Sequence, residues 1–70
     1  MLRICWWVYE NGFANADIAE SADVAPETLS RIINGKQAPG YGEGQSAERI
    51  ARAVGWTGDI HELFAEMEVS

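Results

Sequence analysis

Apolar residues recur along this chain at intervals of three and four, broken by short polar or glycine-containing links, and the pattern predicts five helices with no strand. The first covers residues 2–10 and stops at Asn11-Gly12, a common helix exit, with Ile4, Trp7 and Val8 facing the core. The second begins near Asn15, carries Asp17 in its first turn and presents Ile18, Ala19 and Ala22 on one face. Asp23 and Val24 form the turn that follows. The third starts at Pro26, where proline suits the first helical position and Glu27 suits the positive helix end. Its Leu29, Ile32 and Ile33 have helical spacing, and Asn34-Gly35 closes it. After the glycine-dense link KQAPGYGEGQ, Ser46 reads as the N-cap of a fourth helix with Ala47, Ile50, Ala51 and Val54 inward and Gly55 at its end. Asp59 and Glu62 read as a capping box for a fifth, whose Ile60, Leu63, Phe64 and Met67 repeat the spacing.

Five short helices with brief links imply a compact all-α domain, one unit over residues 1–70. Seventy residues with 47% hydrophobic content and three tryptophans suffice for a small core, although a chain this short buries only about 60% of its unfolded surface. One cysteine, Cys5, and one histidine, His61, far apart, argue against a disulfide scaffold or a zinc module. The absence of bridges suits a reducing cytoplasm. No apolar run approaches the ~20 residues that span a bilayer. The opening MLRICWWVY reads as a packed helix rather than a signal peptide.

Charge changes the picture more. The formal net charge is −6, which argues against attraction to nucleic acid or anionic membranes by overall charge. The distribution is uneven, however. No acid lies between Thr28 and Gly42, a stretch that holds Arg31 and Lys36, with Arg49 and Arg52 further on. Asp59, Glu62, Glu66 and Glu68 crowd the far end.

The segments GFANADIAESADVAPETLSRIINGKQAP, AERIARAVGW and DIHELF together resemble the Cro/phage-repressor (XRE) type of helix-turn-helix, with the motif at about residues 15–35. Ile18-Ala19, Ala22, Val24, Leu29 to Ile32, Asn34 to Lys36 and Pro39 match the family's usual positions or types. The resemblance implies a repressor-like fold in which the third helix enters a major groove. It also implies DNA contacts from Asn15, from Ala25, Pro26, Glu27, Thr28 and Arg31, and from Lys36. Arg31 suits guanine or a phosphate, Thr28 a phosphate or a thymine methyl, and Glu27 cytosine N4. Lys36 and the backbone near Asn15 suit phosphates. Each residue also has a plainer reading: Arg31 as a solvated arginine, Glu27 as a dipole partner, Thr28 as bonded to the local backbone, Asn15 as an N-cap.

Four departures from the family pattern stand out. Asn15 replaces a usual Gln, while Ala14 and Ala25 replace Ser or Thr caps, each worth on the order of 0.5–2 kcal/mol. Val8 and Ile33 replace an Arg–Glu pair, a change that leaves no orphaned charge. The first helix is apolar nearly all round, with Cys5, Trp6 and Tyr9 at positions usually charged. Two readings stand there: a protein interface, or a face covered by the C-terminal helix through Met67 and Val69. Finally, the link after the third helix is long. GYGEG lacks phosphate-loop spacing and context and reads as a mobile loop in which Tyr41 is available to DNA or a partner subunit.

No catalytic constellation and no cofactor motif is present. The expectation is a sequence-specific regulator, a non-enzymatic repressor of phage or mobile-element type, binding double-stranded operator DNA as a homodimer. The alternative is an acidic interaction module, adaptor or antitoxin-like, that kept the fold without DNA binding. The feature expected to discriminate is whether Arg31, Lys36, Arg49 and Arg52 share one face.

Overall fold

The computed structural model describes residues 1–68. Five helices follow in order: α1 (Arg3–Asn11), α2 (Asn15–Ala22), α3 (Pro26–Ile33), α4 (Ser46–Ala53) and α5 (Ile60–Leu63). Among the described residues there is no strand, and one isolated antiparallel bridge joins Leu2 to Glu66. The Cα radius of gyration is 10.8 Å, close to the roughly 11 Å of a folded chain of this length. No helix among the described residues is long and apolar enough to cross a membrane.

The same local device ends the first four helices. Gly12, Asp23, Gly35 and Gly55 all take left-handed φ, between 55° and 75°. At each, the next residue's N–H returns to a carbonyl five residues back: Phe13 to Val8, Val24 to Ala19, Lys36 to Arg31 and Trp56 to Ala51. The exception in kind is Asp23, where an L side chain occupies the conformation that glycine holds elsewhere. That single residue turns α2 into α3.

Every helix contributes an apolar face to one core. Ile4 and Val8 come from α1, Ile18, Ala19 and Ala22 from α2, and Leu29, Ile32 and Ile33 from α3. Ala47, Ile50 and Ala51 of α4, then Val54, Leu63 and Phe64, complete it, with no buried polar or charged residue among the described residues. Val8 and Ile33 are both buried and serve as core. The most extensive helix packing is between α2 and α4, whose inner faces are rich in buried alanine (Ala19, Ala22, Ala47 and Ala51). Trp7 is half-buried, donates its indole N–H to the Val54 carbonyl at 2.8 Å and packs T-shaped with Trp56, ring centroids 5.1 Å apart.

Three expectations need correction. Ser46 is the first helical residue rather than the cap. Gln45 holds the cap position, and the Ser46 hydroxyl accepts from the Gly40 N–H at 2.9 Å, pinning the preceding link. Asp59 does cap α5, but its carboxylate accepts from the His61 N–H, and no return bond from the Glu62 side chain is present among the described residues. The fifth helix is also a single turn that ends at Leu63. Beyond it the chain runs antiparallel to the amino terminus, with Arg3 N–H to Ala65 O at 2.9 Å and Met67 N–H to Met1 O at 3.0 Å. The spacing of Met67 is helical, but its backbone is committed to this long-range pairing.

Candidate nucleic-acid interface

The start of α2 lacks a side-chain cap. Ala14 takes the cap position with an extended backbone (φ −89°, ψ 135°), and Asn15 is the first helical residue, fully on the surface. Asn15 is therefore not the N-cap. The start of α3 repeats the arrangement, with Ala25 at the cap (φ −59°, ψ 137°) and Pro26 next. Both helices thus end amino-terminally in backbone N–H groups without a side-chain acceptor, the condition under which a helix end favours an anion.

Along α3 the division of faces is clean. Leu29, Ile32 and Ile33 are buried, Thr28 is half-buried, and Pro26, Glu27, Ser30 and Arg31 are exposed. Asn34 spends its side-chain amide on the Ser30 carbonyl at 2.8 Å, so Ser30 and Asn34 finish the helix together. Arg31 and Lys36 are different. The Lys36 N–H bonds the Arg31 carbonyl at 2.8 Å, which ties the two residues together across the Gly35 turn. Among the described residues, neither side chain enters an ion pair. The Thr28 hydroxyl makes no bond to the local backbone there either.

The charges around this surface are polarised. Residues 15–36 contain four acids, Asp17, Glu20, Asp23 and Glu27, against two bases, Arg31 and Lys36, a net of −2. Glu20 and Asp23 line a shallow cleft with Ala16, Val24, Ala25 and Pro26, so the beginning of α3 is acidic. Only its far end is basic.

Arg49 and Arg52 do not extend that basic end. Arg49 donates Nε to the Ala22 carbonyl at 2.8 Å and Nη1 to the Gly44 carbonyl at 2.7 Å, clamping α4 to the carboxyl end of α2 and to the link before it. Arg52 pairs with Glu48 at 3.1 Å, one turn back on its own helix. The two arginines line a cleft with Ser21 and Ala53, which no α3 residue borders. Along the sequence Arg49 reads as a surface cation. Its true acceptor lies 27 residues away, and no local pattern announces it.

Tyr41 is also committed within the fold. Its ring stacks on His61 at 4.4 Å and 13° and meets Phe64 edge-on at 6.0 Å, which fastens the glycine-dense link to α5. On α1, Cys5 is half-buried against the core, while Trp6 and Tyr9 are 36% and 84% exposed. The carboxyl-terminal strip pairs with residues 1–3 and leaves Tyr9 open to solvent; Val69, the other residue expected to cover this face, lies outside the described residues.

Comparison of the chain with protein-family models, with curated proteins and with solved structures finds no match in any of the three.

Proposed function

We propose that the chain is a sequence-specific DNA-binding regulator of the Cro/phage-repressor type, which lays α3 in a major groove and represses by occupying its site. The observation that carries this reading is the pair Arg31 and Lys36. They are two cations linked through the backbone at the end of an outward-facing helix, with no intramolecular ion pair among the described residues. In this reading Arg31 pairs with guanine or grips a phosphate, Thr28 and Glu27 meet base edges, and Lys36 and the uncapped N–H groups at Asn15 meet phosphates. Ala25 and Pro26 contribute shape. Two copies on a two-fold site align their third helices one DNA turn apart, about 34–36 Å.

The charge pattern then sets how the protein binds. A net charge of −6 repels DNA at long range, so non-specific affinity is low and discrimination falls to close contacts. With two cations per copy at the groove, log K falls with log salt at a slope of about −2 per copy, far shallower than for a basic DNA-binding protein. The test is selection from a random duplex pool at low salt, then salt titration of the selected sequence with wild type and Arg31→Ala. The expected loss for the variant is about 1–3 kcal/mol, with relaxed preference at one base pair. Failure to select any duplex at low salt overturns the reading.

A second reading, an acidic interaction module that keeps the fold and binds protein instead, draws on the net −2 of the motif itself, on the acidic cleft at the start of α3, and on the discriminating feature, since Arg49 and Arg52 do not join Arg31 and Lys36.

A further inference from the structure

The exposed side of α1 carries a charge order that no other helix shows. Met1, Cys5, Trp6 and Tyr9 line one apolar cleft. Arg3, Trp6 and Glu10 follow i, i+3, i+7, so the apolar strip is flanked by a cation at the amino end and an anion at the carboxyl end, about 10 Å apart. Both charges oppose their own helix: α1 has no acid in its first turn and no base in its last, and an Arg at the start with a Glu near the end is the unfavourable order for the helix dipole. Neither side chain is in an ion pair among the described residues.

A second α1 laid antiparallel reverses every one of these signs. Arg3 of each copy then lies beside the partner's negative helix end and its Glu10, and Glu10 lies beside the partner's positive end and its Arg3. We infer that the face of Cys5, Trp6 and Tyr9 is where two copies of this chain meet, with their first helices antiparallel about a two-fold axis near Trp6. A two-fold contact uses one patch on both subunits, and this patch is complementary to itself in that direction only.

The size of the patch sets the strength. With Tyr9 84% and Trp6 36% exposed, each copy leaves on the order of 200 Å² of ring in water. Two copies with Met1 and Cys5 bury on the order of 500 Å² of apolar surface, about half of what a stable specific interface needs. The pair is therefore weak and concentration-dependent, held in register by its charges rather than by area.

The inference deepens the pairing part of the proposed function by naming the face used. It is tested without DNA, so its failure and the failure of the DNA reading are separate results. The experiment is sedimentation equilibrium of the whole chain over a range of concentrations, with circular dichroism confirming that each variant is folded. The average mass is expected to rise from 7.7 kDa toward twice that value. Tyr9→Ser weakens association at least about tenfold, since Tyr9 is the most exposed aromatic of the patch and such anchors carry much of an interface's energy. Glu10→Arg, which sets Arg against Arg3 of the partner, weakens it by a similar factor. The double variant R3E/E10R restores the opposite-sign pairs and recovers association to within about threefold of wild type. A mass of 7.7 kDa at every concentration overturns the inference. So does a double swap that associates no better than Glu10→Arg alone, because only antiparallel self-pairing predicts the rescue.

Discussion

Replacing Arg49 with Met keeps most of the aliphatic stem and removes both hydrogen bonds of the guanidinium. The Ala22 carbonyl is among the last of α2, and its partner is the Arg49 Nε at 2.8 Å. The α2 helix has no basic residue in its own last turn, so Arg49 also supplies the cation that its carboxyl end favours. A hydrogen bond to a charged group contributes roughly 1.5–3 kcal/mol when buried. Arg49 is half-buried, which places the Ala22 bond near the lower end, and the attraction to the helix end adds about 0.3–1 kcal/mol. The Gly44 carbonyl is exposed and turns to water at little cost. The sum is about 2 kcal/mol, a large share of the roughly 4–10 kcal/mol expected for a domain of this length. In a domain this small that corresponds to a fall in Tm of roughly 8–16 °C. Urea denaturation followed by circular dichroism measures it. Arg49→Lys should lose about half as much, because an ammonium retains the charge but not the fork. Arg31→Ala should stay within about 0.5 kcal/mol of wild type, as an exposed side chain without an intramolecular partner. Equal stability of Arg49→Met and wild type, or equal losses at Arg49 and Arg31, would refute the assignment of one arginine to the fold and the other to the surface.

The other consequences are smaller. Ala14 and Ala25 already have cap-like backbone angles, so Ala14→Ser and Ala25→Ser should each stabilise the chain by about 0.5–1 kcal/mol in the same denaturation assay. Trp7→Phe removes the 2.8 Å bond to the Val54 carbonyl and should cost about 1–2 kcal/mol, with the loss read from thermal unfolding. Asp23→Gly relieves the left-handed conformation of a non-glycine residue (φ 55°) and should raise stability by up to about 1 kcal/mol; a clear loss instead would mean that the carboxylate supports the start of α3.

Wherever a structural signal is local, the residue order already announces it. Asn11-Gly12, Pro26 and Asn34-Gly35 mark helix ends because caps and left-handed exits depend on a few adjacent residues. The apolar spacing of Leu29, Ile32 and Ile33 fixes which side of α3 is left for a ligand. The features that no local pattern announces are long-range. The Ser46 hydroxyl has the right chemistry for a cap, yet it serves Gly40, six residues earlier. The spacing of Met67 continues a helix that stops at Leu63, because the strip beyond it bonds to residues 1–3. Tyr41 reads as a free loop residue until the fold brings His61 beneath it. The electrostatics of the motif suffered most from this. Counting charges along the chain adds Arg49 and Arg52 to Arg31 and Lys36. The fold withdraws the first two and sets Glu20 and Asp23 in a cleft beside the start of α3.

The central claim is that the outward side of α3, with Lys36, is the surface that meets DNA. It is tested most directly by mapping backbone amide shifts as the selected duplex is added to isotope-labelled protein. Perturbations are expected at Asn15 and Ala16, at Glu27, Thr28 and Arg31, and at Lys36. The Ser21, Arg52 and Ala53 cleft should stay unperturbed, and addition of Arg31→Ala to the same duplex should give a weaker response with the same pattern. Shifts that cluster on α1 or around Arg52 and leave α3 unmoved would contradict it.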